Sequence, residues 1–324
     1  MTALLRALAL LAGAMSWRAL GVAGTIVGWL AGGVLRIRRA HVEEAMRAAK
    51  IADPVREAAA MYRALGTSAW ELLRVARRDD AVDRAVFEPA SEARWQGALA
   101  GGRGVVVAAS HTGNWDLTAC RVARETELLV VTKRLRARGV DRFWQETRAA
   151  RGVRLSDALG AVGRARAVLG RGGAVAMMID QVPADTKHAV EAEFLGRRAL
   201  VDRAPAVLAA SRRVPLVVAA SRRDADGRTV IVVLDVLEPP ARASRRWARD
   251  ATIAATSALE AFVRAHPSQW LWLHRRWRMP APTLDRAPRG AMLRARCPTP
   301  AIPSSSRAGA SKAASSSAPA STRT

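Results

Sequence analysis

A histidine and an aspartate five positions apart, in the stretch VVVAASHTGNWDL (105–117), have the types and spacing to do chemistry. An imidazole can take a proton from a hydroxyl near neutral pH, and a carboxylate beside it fixes its tautomer and stabilises its charged form. Within one ideal helix, positions five apart point roughly 140° away from each other. His111 and Asp116 therefore meet only if His111 precedes a helix and reaches back toward its first turns. The intervening TGN suits such a turn, with Gly113 free to adopt unusual backbone angles and Asn114 able to cap. Amide groups at a helix start could also stabilise an oxyanion. No Ser or Cys occupies a GxSxG-type elbow. The chemistry indicated is direct attack by a substrate hydroxyl, with His111 as general base and Asp116 as its partner. A chance match of this spacing, with His111 a solvated residue in an ordinary strand-to-helix loop, is the plain alternative.

The elements that must position this pair follow from periodicity. VVVAA lacks alternation and is rich in β-branched residues, which suits a strand covered on both faces. The apolar stretch from Leu117 onward starts a helix, so His111 falls at the carboxyl end of a strand, where open α/β sheets place ligand sites. From 104 to about 237, strand-like runs (GVVVAAS, ELLVVT, GAVAMMID, VPLVVAA) alternate with helical ones, including a basic helix around Phe143 and SDALGAVGRARAVLGRG. DADGRTVIVVLDVLEP reads as a hairpin turn leading into a further strand. Such alternation predicts an α/β fold, a mostly parallel sheet wrapped by helices. Residues 36 to 80 carry apolar positions at three- and four-residue spacing and read as amphipathic helices. A long helix from Ser244 stops at Pro267. Past Asp285 there is no acidic residue, and Pro, Ser, Ala and Arg dominate. The expected organisation is an anchoring apolar segment over 1–35, a catalytic domain over 36–285 and a disordered basic tail over 286–324.

The net charge is +24, and Lys occurs only at positions 50, 133, 187 and 312. Seven basic residues lie in the tail, so +17 remains on what precedes it. Such a charge suits nucleic acid, an anionic membrane or an acidic protein partner. No nucleic-acid-binding motif is present, and nucleic acid is not the expected partner. Two cysteines, Cys120 and Cys297, make neither a disulfide framework nor a metal-ligand spacing, and the five histidines (41, 111, 188, 266 and 274) form no cluster in sequence. Neither a metal nor a cofactor is expected. At the N-terminus, the seventeen uncharged residues Ala19 to Leu35 fall at the short end of the roughly 20 that a membrane span needs. RIRR (36–39) follows, where anionic headgroups would favour it. A helical membrane anchor, embedded in or lying on the bilayer, is the expectation. A cleaved signal peptide, with AGA at 12–14, and a buried core helix are the competitors.

Three further segments recur at strand ends. TKRLRARGVDRFWQETRAARG (132–152) concentrates basic residues, with Arg148 and Arg151 on one helix face, and Arg suits bidentate phosphate binding. MMIDQVP ends a buried strand in Asp180 and Gln181. EFLGRR places Phe194, Gly196 and Arg197 just before a helix, as a lining for an acceptor or acyl pocket.

From about Arg36 to Arg278 the sequence resembles the bacterial lipid A biosynthesis acyltransferase family, the lauroyl and myristoyl transferases, within the HxxxxD/E glycerolipid acyltransferase superfamily. The resemblance rests on SHTGNWDL, on the basic segment from Lys133 to Gly152, on IDQ followed by FLGR, and above all on HPSQWLWLHRRWR (266–278). It implies transfer of a fatty acyl chain from acyl carrier protein to a hydroxyl of a lipid A precursor, at the cytoplasmic face of the inner membrane. His111 would be the general base and Asp116 its partner, with no acyl-enzyme. Arg148 matches the family's functional arginine, and Lys133, Arg151, Asp180 and Arg197 are further candidates for substrate contact. Acylation of a lysophospholipid or another glycolipid would use the same residues. A non-catalytic, basic, membrane-tethered binding protein would instead leave His111 and Asp116 dispensable and show strong salt dependence.

Overall fold

Residues 2–278 are described by the computed structural model of the chain; the tail expected over 286–324, and the end of the segment expected over 36–285, lie outside them. The N-terminal apolar stretch forms two helices, α1 (Thr2–Ala14) and α2 (Trp17–Trp29), with a π-helical turn, Leu30–Val34, prolonging the second. Two amphipathic helices follow, α3 (Arg39–Ala48) and α4 (Pro54–Val75). Asp53 starts α4 by accepting a 3.0 Å bond from the Arg56 amide, and Pro54 occupies the first turn, where its missing N–H costs nothing.

Strands and helices then alternate as the sequence predicts. In order they are β1 (Ala85–Phe87), α5 (Pro89–Leu99), β2 (Val105–Ala109), α6 (Trp115–Val122), β3 (Leu128–Val131), α7 (Arg138–Ala149), β4 (Val153–Ser156), α8 (Ala161–Gly170) and β5 (Ala174–Met178). A hairpin, β6 (Val190–Phe194) and β7 (Arg197–Val201), precedes α9 (Ala204–Arg212), β8 (Leu216–Arg223), β9 (Thr229–Leu237) and the long α10 (Arg245–Ala265). Seven strands form one sheet in the order β1-β9-β8-β2-β5-β3-β4. Every neighbouring pair is parallel except β8–β9, the expected hairpin. Both faces are covered. Val106, Ala108 and Val218 pack with α9 and α10, while Val105, Val107 and Val217 join the cluster that holds Leu117 and Cys120 of α6.

Two features differ from the sequence reading. FLGRR does not run directly into a helix, because Leu195 and Gly196 both take positive φ (55° and 75°) and close the β6–β7 hairpin with the twist such two-residue loops require. β1 and β4 escaped notice because strands of three and four residues show too little periodicity.

The N-terminal segment packs against α4. Among the described residues no single helix is long and apolar enough to cross a membrane, and the run that includes α2 bends by 86° into α3. The glycines that look out of place in a core helix make a contact stripe. A Cβ on Gly24 would lie 2.4 Å from Thr67 Cα, one on Gly28 would lie 2.2 Å from the Tyr62 carbonyl oxygen, and one on Gly66 would meet the Gly24 carbonyl at 2.2 Å. Their absence lets α2 lie backbone-to-backbone on α4. The outward residues are large and apolar: Leu4, Leu10, Val22, Ile26, Trp29 and Leu35 are each at least half exposed. Of the three arginines in RIRR, two are engaged by other parts of the chain and only Arg39 is buried. Arg39 pairs with Glu43 and donates to the Val55 carbonyl, and Arg38 donates to the Leu273 carbonyl at 2.7 Å.

Candidate active site

The site assembles where β2 and β5 lie side by side. Their parallel register sets Ala109 opposite Met178, so His111 and Asp180, each two residues further on, emerge together at the carboxyl edge of the sheet. His111 Nδ1 lies 2.9 Å from one Asp180 oxygen. The other oxygen accepts from the His111 amide and from Trp270 Nε1, both at 2.8 Å. With Nδ1–H donated to Asp180, Nε2 becomes the basic nitrogen. Gln181 Nε2 stands 3.3 Å from the ring nitrogens. Burial works against the charged imidazole, but the Asp180 carboxylate and, at longer range, Asp116 outweigh it, so the His111 pKa lies above the ordinary histidine value. Asp180 is fully buried, which by itself would raise its pKa; the facing imidazole and three donated hydrogen bonds hold it well below the usual carboxylate range.

The turn between His111 and α6 is pinned on several sides. Asn114 caps α6 by accepting from the Leu117 amide at 3.1 Å, as expected, and donates to buried Glu71 at 2.8 Å. Gly113 has φ +56°, and a Cβ there would lie 2.6 Å from the Ser221 carbonyl oxygen, so the position excludes side chains by both backbone angle and space. The segment after α10 closes over the turn: the Gly113 amide donates to the Gln269 carbonyl at 2.8 Å, and the Leu271 amide to the His111 carbonyl at 3.0 Å. The most family-like piece of the sequence is thus the wall that holds the His111 turn. Its Arg276, buried over Phe194, donates to the Leu200 carbonyl at 2.6 Å and ties the wall to β7.

Asp116 does not partner His111 in the structure. Its buried carboxylate, in the first turn of α6, accepts from Arg148 Nε at 2.6 Å and Trp144 Nε1 at 3.2 Å, and forms a second close contact with the Arg148 guanidinium. The five-residue spacing leaves Asp116 facing α7, while strand order brings Asp180 to the imidazole. Asp116 acts on His111 only through its charge.

The remaining sequence candidates divide. Arg148 joins His111 and Asp116 in the wall of a cleft. Lys133 is exposed next to Thr132 of that wall and forms no ion pair among the described residues. Arg151 is withdrawn from substrate contact, because its guanidinium caps the carboxyl end of α4 through the Val75 carbonyl (2.9 Å from Nε) and pairs with Asp79. Arg197 stacks on Trp277, 4.7 Å from the ring centre, on the β6–β7 hairpin, and takes no part in the cleft. Sequence reasoning placed none of Trp270, Gln269, Glu71 and His274 in the site. The only available signal was their membership of amphipathic or family-like runs.

The cleft runs between α6 and the sheet. Val107, Ala109, Ala176, Met178, Ala219, Ile231 and Val233 form its floor and Trp115, Thr118, Ala119 and Val122 its roof, with Phe87 and Trp95 at the side of β1. At about 110 Å³ it is a narrow slot rather than a chamber for a bulky ligand. His111, Asp180 and His274 offer possible metal-ligating atoms within 4.8 Å of one another. Both Asp180 oxygens are already engaged by donors, however, which does not suit a resident ion.

A buried His–Asp pair at the carboxyl edge of a parallel sheet, opening onto an apolar slot, is an arrangement suited to acid–base chemistry beside an apolar group. Residues 2–279 match the family model of the bacterial lipid A biosynthesis acyltransferases, and the chain belongs to that family. It is an acyltransferase of lipid A biosynthesis. No curated protein matches the chain.

Proposed function

We propose that the enzyme moves a fatty acyl group from the thioester of acyl carrier protein to a hydroxyl of a lipid A precursor, with His111 as general base and no acyl-enzyme. The observation that carries this reading is the His111–Asp180 pair beside the apolar slot. The acceptor hydroxyl gives its proton to His111 Nε2 while its oxygen bonds to the thioester carbonyl carbon. Asp180 stabilises the resulting imidazolium through Nδ1–H. The amino end of α6, at the same turn, carries partial positive charge suited to the oxyanion. Collapse of the tetrahedral intermediate breaks the C–S bond, and the imidazolium returns its proton to the departing thiolate. The Asp116–Arg148 pair keeps a cation at the slot wall for an anionic group of either substrate.

The acyl chain takes the slot. Phe87 lies three strands from β2 in the sheet, roughly 14 Å across at the usual strand spacing. Phe87→Leu should therefore shift preference toward longer acyl chains, and Ala219→Leu toward shorter ones, in competition between acyl thioesters read by mass spectrometry of the product. Unchanged selectivity in both variants would remove the slot from the acyl-binding assignment.

Arg134, Arg136 and Arg138 continue the exposed basic run from Lys133 near the slot, a charge suited to an acidic carrier. The outward apolar face of α1 and α2 suits an orientation in the plane of the bilayer surface. Both features support work at the cytoplasmic face of the inner membrane. The test is transfer from labelled acyl carrier protein to a panel of lipid A precursors, lysophospholipids and other glycolipids. Label on a lipid A precursor is expected. Label confined to another acceptor would keep the site and change the acceptor, and no transfer to any acceptor would refute the reading.

A further inference from the structure

His274 lies beside the His111–Asp180 pair and has no place in the proton transfer described above. Its ring meets that of His111 nearly at a right angle (89°), with centres 5.8 Å apart, and it leans on Trp270 at 5.9 Å. Both ring nitrogens are buried and neither has a hydrogen-bond partner among the described residues. Buried polar atoms are ordinarily partnered, so this pair requires a reason. The backbone around the ring, by contrast, is held: Arg38 donates to the Leu273 carbonyl at 2.7 Å, and His41 Nε2 lies 3.3 Å from the His274 carbonyl oxygen. The start of α3 and the preceding loop thus clamp an imidazole whose own polar atoms are left free.

The spacing identifies what it would meet. One nitrogen of His274 lies within 4.8 Å of a nitrogen of His111 and an oxygen of Asp180, yet it makes a direct hydrogen bond to neither. Two hydrogen bonds of roughly 2.8 Å meeting at one oxygen span roughly 4.6 Å. The group is therefore no wider than one oxygen can bridge, and the perpendicular rings, with centres 5.8 Å apart, leave His274 on the His111 side of the pair. Resting on the acyl-transfer reading above, we infer that His274 is a substrate-contacting residue whose neutral imidazole N–H donates to the reacting hydroxyl oxygen of the acceptor and holds it against His111. The hydroxyl gives its proton to His111 Nε2, keeps one lone pair on the His274 N–H and uses another to form the bond to the thioester carbon. No proton passes through His274. Burial lowers its pKa to about 4, so near neutral pH it stays uncharged and does not compete with His111 for the proton.

The test uses membranes containing the full chain, with lauroyl–acyl carrier protein and a lipid A precursor. His274→Leu should lower kcat/KM for the acceptor by about 10²–10³-fold, with KM for the acyl donor changed by less than about twofold. His274→Gln, which keeps an N–H donor, should regain about tenfold or more of that loss. Because the imidazole lacks protein partners, leucine should leave Tm unchanged or raise it, which loss of a structural hydrogen bond would not do. Wild-type turnover in His274→Leu would overturn the assignment. So would equal losses in the Leu and Gln variants accompanied by a lower Tm. A wild-type chain inactive toward every acceptor would defeat the reading of the whole site, a result distinct from an active wild type beside an active His274→Leu.

Discussion

Replacing His111 with alanine is expected to cut acyl transfer by about 10²–10⁴-fold, the usual contribution of a positioned general base. Asp180→Asn should cost a comparable factor, since the amide no longer fixes Nδ1–H toward the carboxylate and no longer stabilises the imidazolium. The pH profiles separate this pair from a merely structural one. On the proposed mechanism only neutral His111 accepts the hydroxyl proton, so kcat/KM should rise with pH and level off once His111 has lost its proton. Asp180 holds the His111 pKa above its ordinary value of 6.5, so the wild-type midpoint should lie above that pH. Removing the Asp180 charge lowers the His111 pKa, so in Asp180→Asn the rising limb should move to lower pH while the plateau falls. Asp116→Asn should move the limb in the same direction but by less, because Asp116 acts through space and its neighbour Arg148 opposes it. Rate profiles of the wild type and the two variants read this directly. A limb that stays put in Asp180→Asn, or moves further in Asp116→Asn, would return the partnership to the carboxylate within the HxxxxD spacing.

The largest expected effect on stability lies behind the His111 turn. Glu71 on α4 is buried, receives both terminal nitrogens of Arg223 from β8, one of them at 2.7 Å, and accepts from the Asn114 cap at 2.8 Å. One carboxylate therefore joins α4, the β8–β9 hairpin and the start of α6. Glu71→Ala leaves a guanidinium sheltered without its counter-charge and a cap without its acceptor, a change that costs about 3–5 kcal/mol when a buried pair is broken. In a domain of this size that corresponds to a fall in Tm on the order of 10 °C. The double variant Glu71→Leu/Arg223→Met should be more stable than Glu71→Ala, because apolar replacement avoids the stranded charge. Its activity should stay low, since Asn114 still lacks the anchor that holds the turn. Urea unfolding of the three proteins, with activity measured on each, decides the matter. A double variant no more stable than the single one would show that the pair is not what joins these elements.

Much of the site was written into local sequence. VVVAA followed by HTGN and an amphipathic run could hardly be anything but a buried strand, a tight turn and a capped helix, because each feature depends on residues a few positions apart. Asn114 and Gly113 take the roles their types suggest. The parallel α/β class follows in the same way from alternating runs, each of which reports its own burial.

Partnership was another matter. His111 meets Asp180 rather than Asp116 because β5 enters the sheet beside β2, although β3 and β4 intervene in the chain. Asp116 and Arg148 were both singled out in the sequence, yet that they bind each other depends on where α7 docks. The close packing of the α2 glycines depends on α4 lying against them, and Arg151 reads as a substrate ligand in the sequence but caps α4 in the structure. The sequence by itself determined the chemical types present, the turn that displays His111 and the class of sheet that carries it, since these arise from short-range sterics and periodic burial. Only the tertiary structure decided which carboxylate meets the imidazole, which arginines are spent on structure and that His274 stands beside His111, because hydrogen bonds and ion pairs are settled by distances of a few ångströms between segments that the chain itself holds far apart.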